Sequence, residues 1–382
     1  MKKIYLKFIG DLTFFFLLSL ISVAAIVWVI QAVNFLDFVS EDGHSFGTYF
    51  KYTLLIFPKI IGKIFLFIFF LSLFIIILKY ENNNELIIFW THGITKKKLI
   101  NLIVKYSIFC SLILFFLMVY LIPNSQDKAR SYIRSSGLDL FPNLLKENTF
   151  NDTVKSLTIY IDKKKSGVFE NIFLKTTQVT NDRSYNIIFA KRGLFKNYNG
   201  DNYLTLEDGH FLVKDGVSHT NFTFDKFDYN LSNFSTKTTT YTKVQELKTS
   251  YILNCISYVK KYPQSETYKT FVEFKDRNGA HRCVAKFLPE AYQELFERIN
   301  VIFYLPLLGL IASILILTSK DQINYNKQKI IIICFSIFII ILKEFSSQYF
   351  FTNNITMTIF LIMPFLIFFS TYFYINQKLK FD

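Results

Sequence analysis

The feature that most limits what this chain can become is a run of 25 residues, Leu12 to Leu36, without one formal charge. At about 1.5 Å per residue, a helix of that length crosses a hydrocarbon core of roughly 30 Å with some tilt. Ile299 to Ser319 is a second uncharged run, and Phe345 to Gln377 contains a third. With 51% hydrophobic residues and 45 Phe among 382, clustered in this way, the class is an integral membrane protein. The first run follows Met1-Lys-Lys, as a signal peptide would. It exceeds the apolar length of about 7–15 residues usual for one, and no small-residue cleavage site closes it, so a retained helix is expected.

Hydropathy places six spanning helices at roughly 12–36, 54–78, 101–122, 299–318, 330–351 and 355–376. They fall as three and three. Three segments follow: 1–123 with the first three helices and a cytoplasmic segment at 80–100, a polar domain over 124–298, and 299–382 with the last three. Lys and Arg in the short loops set the orientation. With the N-terminus inside, inner segments hold twelve lysines (Lys2, Lys3, Lys7, Lys79, Lys96, Lys97, Lys98, Lys320, Lys327, Lys329, Lys378 and Lys380), and the short outer segments hold Lys51 alone. Both termini are therefore expected in the cytoplasm and the polar domain outside. The net charge of +14 is accounted for by this distribution, without a nucleic acid.

The polar domain reads as β from about 150 to 235. Leu157-Thr-Ile-Tyr-Ile, Glu170-Asn-Ile-Phe-Leu, Tyr185-Asn-Ile-Ile-Phe, Tyr203-Leu-Thr-Leu, His210-Phe-Leu-Val and Asn221-Phe-Thr-Phe are short β-rich runs. Lys165-Ser-Gly, Asn199-Gly-Asp, Glu207-Asp-Gly and Lys214-Asp-Gly stand between them as turn signals, which indicates an antiparallel sandwich, roll or barrel. Pro289 to Arg298 is expected to be a helix leading into the fourth span. Cys255 and Cys283 can pair outside the cytoplasm, but two unpaired thiols are the expectation.

No phosphate-binding glycine loop, nucleophile elbow or zinc-helix motif is present, so neither ATP binding by this chain nor an enzymatic site is expected. The histidines are scattered, and no spacing suits a metal. Three features remain. Lys59 and Lys63 sit four apart near the outer end of the second helix and share a face. They either snorkel to the headgroups or line a pocket for an anionic ligand. Lys343 and Glu344 lie within the fifth helix, where an ionisable residue is a functional candidate; as neighbours they are not expected to form a simple pair. Glu85 to Lys98 can form a short amphipathic helix with Leu86, Ile87, Phe89 and Trp90 as apolar surface, broken at Gly93 and followed by a cap at Thr95. It is either a connection resting on the membrane or a coupling helix that docks into a separate ATPase.

Over nearly its whole length the chain resembles the lipopolysaccharide export permeases LptF and LptG (YjgP/YjgQ), most closely the F member. The resemblance is carried by Trp28-Val-Ile-Gln-Ala-Val-Asn-Phe-Leu-Asp37, Glu85-Leu with Gly93-Ile-Thr, Leu121-Ile-Pro123 with Lys128-Ala-Arg130, Phe150 to Tyr160 with Ala190-Lys-Arg-Gly193, and Glu294 to Arg298 with Leu305-Pro-Leu307. It implies an inserted periplasmic β-jellyroll-like domain and a transport subunit of the bacterial inner membrane. The implied partners are an LptG-like second permease, an LptB-like ATPase dimer using ATP and magnesium, an LptC-like single-span protein and lipopolysaccharide. It also implies an ATPase-coupling role for Glu85, Leu86, Phe89 and Gly93, and a cationic rim for the substrate from Lys59, Lys63, Arg130, Arg134 and Arg298. Asn34 departs from the basic residue usual there, Trp90-Thr-His92 departs from a small basic run, and Glu266 to Lys286 matches nothing in the family. Two other classes stand beside this one. A membrane-anchored sensor with an outer β ligand-binding domain would need a cytoplasmic signalling module, and the inner segments are too short to hold one. Other ABC exporters commonly place a large outer domain after the first of four spans, unlike the three-and-three order here.

Overall fold

The computed structural model describes residues 2–36, 46–135, 147–154, 156–165, 167–177, 185–198, 201–215, 218–231, 243–261, 288–349 and 354–381. The departure at Glu266 to Lys286 lies outside them. The long helices are α1 (Lys2–Asn34), α2 (Phe46–Asn82), α4 (Lys96–Phe116), α7 (Leu288–Ser313), α8 (Tyr325–Tyr349) and α9 (Asn354–Phe381). Between them lie α3 (Glu85–Thr91), α5 (Ile122–Ser135) and α6 (Thr249–Lys261). Among the described residues, six helical segments are long and apolar enough to cross a membrane, matching the expected three and three. With the inserted antiparallel sheet they make an α-helical multi-pass membrane protein carrying a β domain.

The chain divides into two compact units. One comprises Met1–Val29, Leu55–Asp127 and Tyr241–Asp382; the other comprises Ile30–Leu54 and Lys128–Thr240. In this division residues 241–298 fall with the helices rather than with the sheet. The reason is packing: Leu247, Ile252, Cys255 and Ile256 form one buried cluster with Ala291 and Leu295 of α7. Cys255 is fully buried there and disulfide-bonded, which corrects the expected free thiol. Such a bond persists in an oxidising compartment. Cys283 lies outside the described residues.

In the helical unit the core is built from aromatic and branched side chains of α1, α2, α4 and α7. Phe8 meets Tyr80 edge-on at 5.2 Å and Phe16 meets Phe65 at 5.1 Å, the geometry that ring quadrupoles prefer. Two pairs of polar groups within the spans meet across helices. Tyr80 donates to Asp11 Oδ2 at 2.7 Å, and the hydroxyls of Thr13 and Tyr106 lie 2.9 Å apart. Helices α4 and α7 approach closely at Gly309, where an added Cβ would lie 2.1 Å from Ser107 Oγ. Small residues permit such contacts in membranes, where the hydrophobic effect gives helices no reason to associate.

The second unit holds one sheet of six antiparallel strands in chain order: β1 (Thr149–Val154), β2 (Leu157–Lys165), β3 (Val168–Thr177), β4 (Tyr185–Tyr198), β5 (Asp201–Asp215) and β6 (Ser218–Asn230). Alternation fixes the register, because a slip of one residue would turn every apolar side chain outward. Leu157, Ile159, Ile161, Leu174, Ile188, Leu204 and Leu206 all point to one buried face. Tyr203–Leu206 and His210–Val213, expected as two strands, are one. Glu207-Asp-Gly209 is not a turn: Asp208 takes a left-handed φ of 53°, its pairing lapses, and the strand continues in the same register. The same unit ties the neighbouring helix ends together. Tyr49 donates to Ala32 O at 2.8 Å, and Lys51 lies over the Tyr132 ring at 5.4 Å.

Candidate functional site

The geometry around Arg298 starts with a proline. Pro123 has no N–H, so the carbonyl of Val119, four residues earlier, loses its helical partner. The backbone widens there into a π-turn over Leu117–Leu121. Within a hydrocarbon core an unpaired carbonyl costs several kcal/mol, about the loss of a full hydrogen bond. Thr249 supplies the missing donor: its hydroxyl reaches Val119 O at 2.7 Å. Arg298 Nη1 in turn donates to Thr249 Oγ1 at 2.7 Å. The guanidinium also donates through Nε to Glu294 Oε1 at 2.8 Å, and through Nη2 to Leu247 O at 3.0 Å and Gln245 O at 3.2 Å. Arg298 is 2% exposed. It fastens the segment before α6 onto α7, and four of its five N–H groups serve that purpose.

Beside this fastening lies a cavity of about 270 Å³. Helix α2 contributes Lys59 and Lys63, α7 contributes Glu294 and Glu297, and α8 contributes Glu344. Amides of Gln126, Gln245, Gln293 and Gln348 complete its polar wall. Three cations and three carboxylates line it, so attraction to an anion depends on which charges are already engaged. Glu294 holds Arg298. Glu344 holds Lys343, Nζ to Oε2 at 2.9 Å, which corrects the expectation that these neighbours would not pair. The lysine's long stem reaches around the helix surface from a buried position to an exposed carboxylate. Among the described residues, Lys59 and Lys63 take no ion pair, and they remain the cations that the cavity presents.

The structure thus brings together Lys59, Lys63 and Arg298 of the five expected cations. Arg130 is buried on α5 in the other unit. Arg134 is on the same helix, and its side chain lies outside the described residues. Sequence reasoning singled out Glu344 as an ionisable residue within a span, but placed neither it nor Glu294 and Glu297 beside these cations. The Glu294–Arg298 spacing of four on a helix was a readable signal for one of them; Glu297 and Glu344 acquire meaning only when α7 and α8 are side by side.

The second candidate region is α3. Glu85 opens it, next to the positive end of the helix. Gly93, at φ 73°, closes it: Gly93 N–H bonds Trp90 O and Ile94 N–H bonds Phe89 O, the paired bonds of a Schellman stop. Thr95 then caps α4, accepting from Lys98 N at 3.4 Å. Leu86 and Phe89, expected as docking surface, are 2% exposed. They pack inward, Phe89 meeting Phe8 and Tyr80 at ring separations of 6.1 and 6.2 Å. With seven residues, α3 can bury only one stripe, so the apolar side chains left outward are Ile87 and Ile88. Glu85 remains partly exposed, 3.8 Å from Lys7 Nζ. Nearby, Lys320 N–H donates to Glu81 Oε1 at 2.8 Å, and Lys96 Nζ to Leu317 O at 3.3 Å. The start of α1, the α2–α3 turn, the start of α4 and the loop after α7 are therefore joined at one end of the unit.

A curated relative, "Uncharacterized protein RP871" of Rickettsia prowazekii (strain Madrid E), is 24% identical over 240 residues, 61% of this chain. The matched region spans 64% of that relative's length. The family model described as lipopolysaccharide export system permease LptF/LptG matches residues 8–378, from the first turns of α1 to the last turns of α9 and through the whole sheet. The chain belongs to the LptF/LptG family of lipopolysaccharide export permeases.

Proposed function

We propose that this chain is a permease subunit of an ABC transporter that draws lipopolysaccharide from the inner membrane and passes it toward the outer membrane. The observation that carries this reading is the family match over 8–378, which takes in both compact units. In this reading ATP is hydrolysed by a separate LptB-like dimer, an LptG-like chain completes the permease, and an LptC-like protein extends the periplasmic route. Both termini face the cytoplasm and the sheet faces the periplasm.

The cavity supports a role in holding the lipid's polar head. Lys59 and Lys63 suit a phosphate, and the four glutamines suit hydroxyl and amide groups beside it. The engaged cation, Arg298, keeps that wall in place and leaves direct contact to the two lysines. On α3, the partly exposed carboxylate of Glu85 and the outward Ile87 and Ile88 offer the ATPase a small apolar patch with one charge. The test is a mild-detergent purification of the chain from its native membrane, with proteins and lipids identified by mass spectrometry. A second six-span permease, an ATPase and lipopolysaccharide are expected to come with it. A chain recovered as a homodimer with ordinary phospholipid would sink the export reading.

A further inference from the structure

The sheet carries a feature that neither the helices nor the export reading uses. On the face opposite its buried core, one residue from every strand falls in a single cross-strand row. The register pairs Phe150 with Tyr160, Tyr160 with Phe173, Phe173 with Phe189, Phe189 with His210, and His210 with Thr223. Four consecutive members are aromatic. Their rings stand 4.9 Å (Phe150 to Tyr160) and 5.1 Å (Phe173 to Phe189) apart, near the strand spacing of about 4.8 Å. Phe150 is 66% exposed and Phe189 is 51% exposed. A row of large rings left in the open marks a contact surface rather than a core.

Next to the row the sheet is creased. The pairing skips Asn171 of β3 opposite Lys191 of β4, and again Asp208 of β5 opposite Lys191. Asn171 and Asp208 both take left-handed backbone angles, φ 51° and 53°. The register is the same on both sides of these residues, so none is inserted; the left-handed steps instead interrupt the alternation of side chains, and Phe169 and Ile172 are both buried. The result is an open pocket of about 330 Å³. Tyr160, Phe173 and Phe189 form its floor, with Asn171, Lys191, Asp208 and His210 at its rim. Lys175 and Lys214 project from the same face, both over the ring of Tyr185, at 5.5 and 5.3 Å.

We infer that this face binds an acidic oligosaccharide. A sugar ring has an apolar C–H face that stacks on aromatic rings and an edge of hydroxyls that both donate and accept. The floor and rim supply those two kinds of contact in one pocket: an amide, a carboxylate, an imidazole and an ammonium stand around a flat apolar surface. An acyl chain would strip water from His210 and from the Lys191–Asp208 ion pair, 3.6 Å apart, a cost with no return. A second copy of the sheet would need a broad flat contact, about 1,000 Å² or more in total, whereas this site is a local recess. The lysines of this face favour a glycan with phosphate or carboxylate substituents. The source of that glycan, the saccharide part of the exported lipid, rests on the export reading.

The experiment uses the full chain in detergent and the phosphorylated oligosaccharide obtained by fully deacylating lipopolysaccharide. Inorganic phosphate and the dephosphorylated oligosaccharide serve as separate arms. Calorimetric titration is expected to show saturable binding, at least tenfold weaker in the double variant Phe173→Ser/Phe189→Ser and several-fold weaker in Lys175→Gln/Lys214→Gln. Dephosphorylation is expected to weaken binding by a similar several-fold factor. Circular dichroism confirms that the variants stay folded. No saturable binding, undiminished binding in the aromatic double variant, or equal binding of inorganic phosphate would each overturn the inference. So would a double variant that changes only the oligomeric mass, which would assign the row to a second copy. A flat glycan titration of a chain that still co-purifies with lipopolysaccharide would end this inference alone. Glycan binding by a chain that recovers no transport partners would instead count against the export reading.

Discussion

Two charged regions of the helical unit, around Arg298 and around Glu85, look alike in sequence and differ in structure. Each pairs a carboxylate with a cation near a membrane-spanning helix. Arg298 is enclosed, with four of its donors satisfied by Glu294, Thr249 and two backbone carbonyls. Glu85 sits partly in the open, with Lys7 at 3.8 Å and a 3.2 Å hydrogen bond from Asn83. An ion pair taken out of water is costly to break, because the partner left behind remains buried. One in water exchanges easily for hydration, and is free to change partners. Burial thus separates a charge that holds the fold from a charge available to another protein.

The sharpest way to break this contrast is Arg298→Ala. It leaves Glu294 without its cation, two carbonyls without a donor and Thr249 without its arginine. A loss of about 3–5 kcal/mol is expected, read as a large drop in thermal midpoint of the detergent-solubilised protein. If the midpoint fell no further than in Glu85→Ala, the two regions would be equivalent and the contrast wrong. Thr249→Val sharpens the same point with a smaller change. It removes the hydroxyl bridging Arg298 and Val119 O while keeping the shape, and about 1–3 kcal/mol is expected from the unsatisfied groups left behind.

Lys59→Gln with Lys63→Gln should move a different readout. Neither lysine is ion-paired among the described residues, so the thermal midpoint should stay near that of the parent. The amount of lipopolysaccharide recovered with the purified chain should fall several-fold. A drop in midpoint with lipid recovery unchanged would make these lysines structural and return the cavity to a packing defect beside Arg298.

What could be read from the sequence follows from which forces are local. The six spans were legible because bilayer thickness sets the length of each apolar run. The stop at Gly93 and the cap at Thr95 were legible because each is decided within a few residues. Glu207-Asp-Gly209 misled because the same residues serve a turn or a left-handed step inside a strand, and only pairing with β4 and β6 selects between them. The role of Arg298 was hidden for a related reason: its partners at 245, 247 and 249 are distant in sequence, and the demand that draws them in comes from Pro123. Leu86 and Phe89 were assigned outward because a seven-residue helix shows which residues share a face, but not which face the rest of the chain covers.

That last point decides the smallest expected effect on stability and the largest on partnership. Glu85→Ala removes an exposed pair worth at most about 1 kcal/mol, so the isolated chain should melt within a degree or two of the parent. Ile87→Ser and Ile88→Ser remove side chains that are about half exposed and should behave likewise. If α3 is where the ATPase pushes, the three substitutions together should reduce co-purification of the ATPase at least tenfold while leaving membrane insertion unchanged. Leu86→Ala gives the opposite pattern: it opens a cavity in the unit's own core, at about 2–5 kcal/mol, and would weaken ATPase binding only through the fold. An ATPase lost from Leu86→Ala with an unchanged midpoint, and retained by the Glu85, Ile87 and Ile88 variant, would show that the docking face is the one the structure buries.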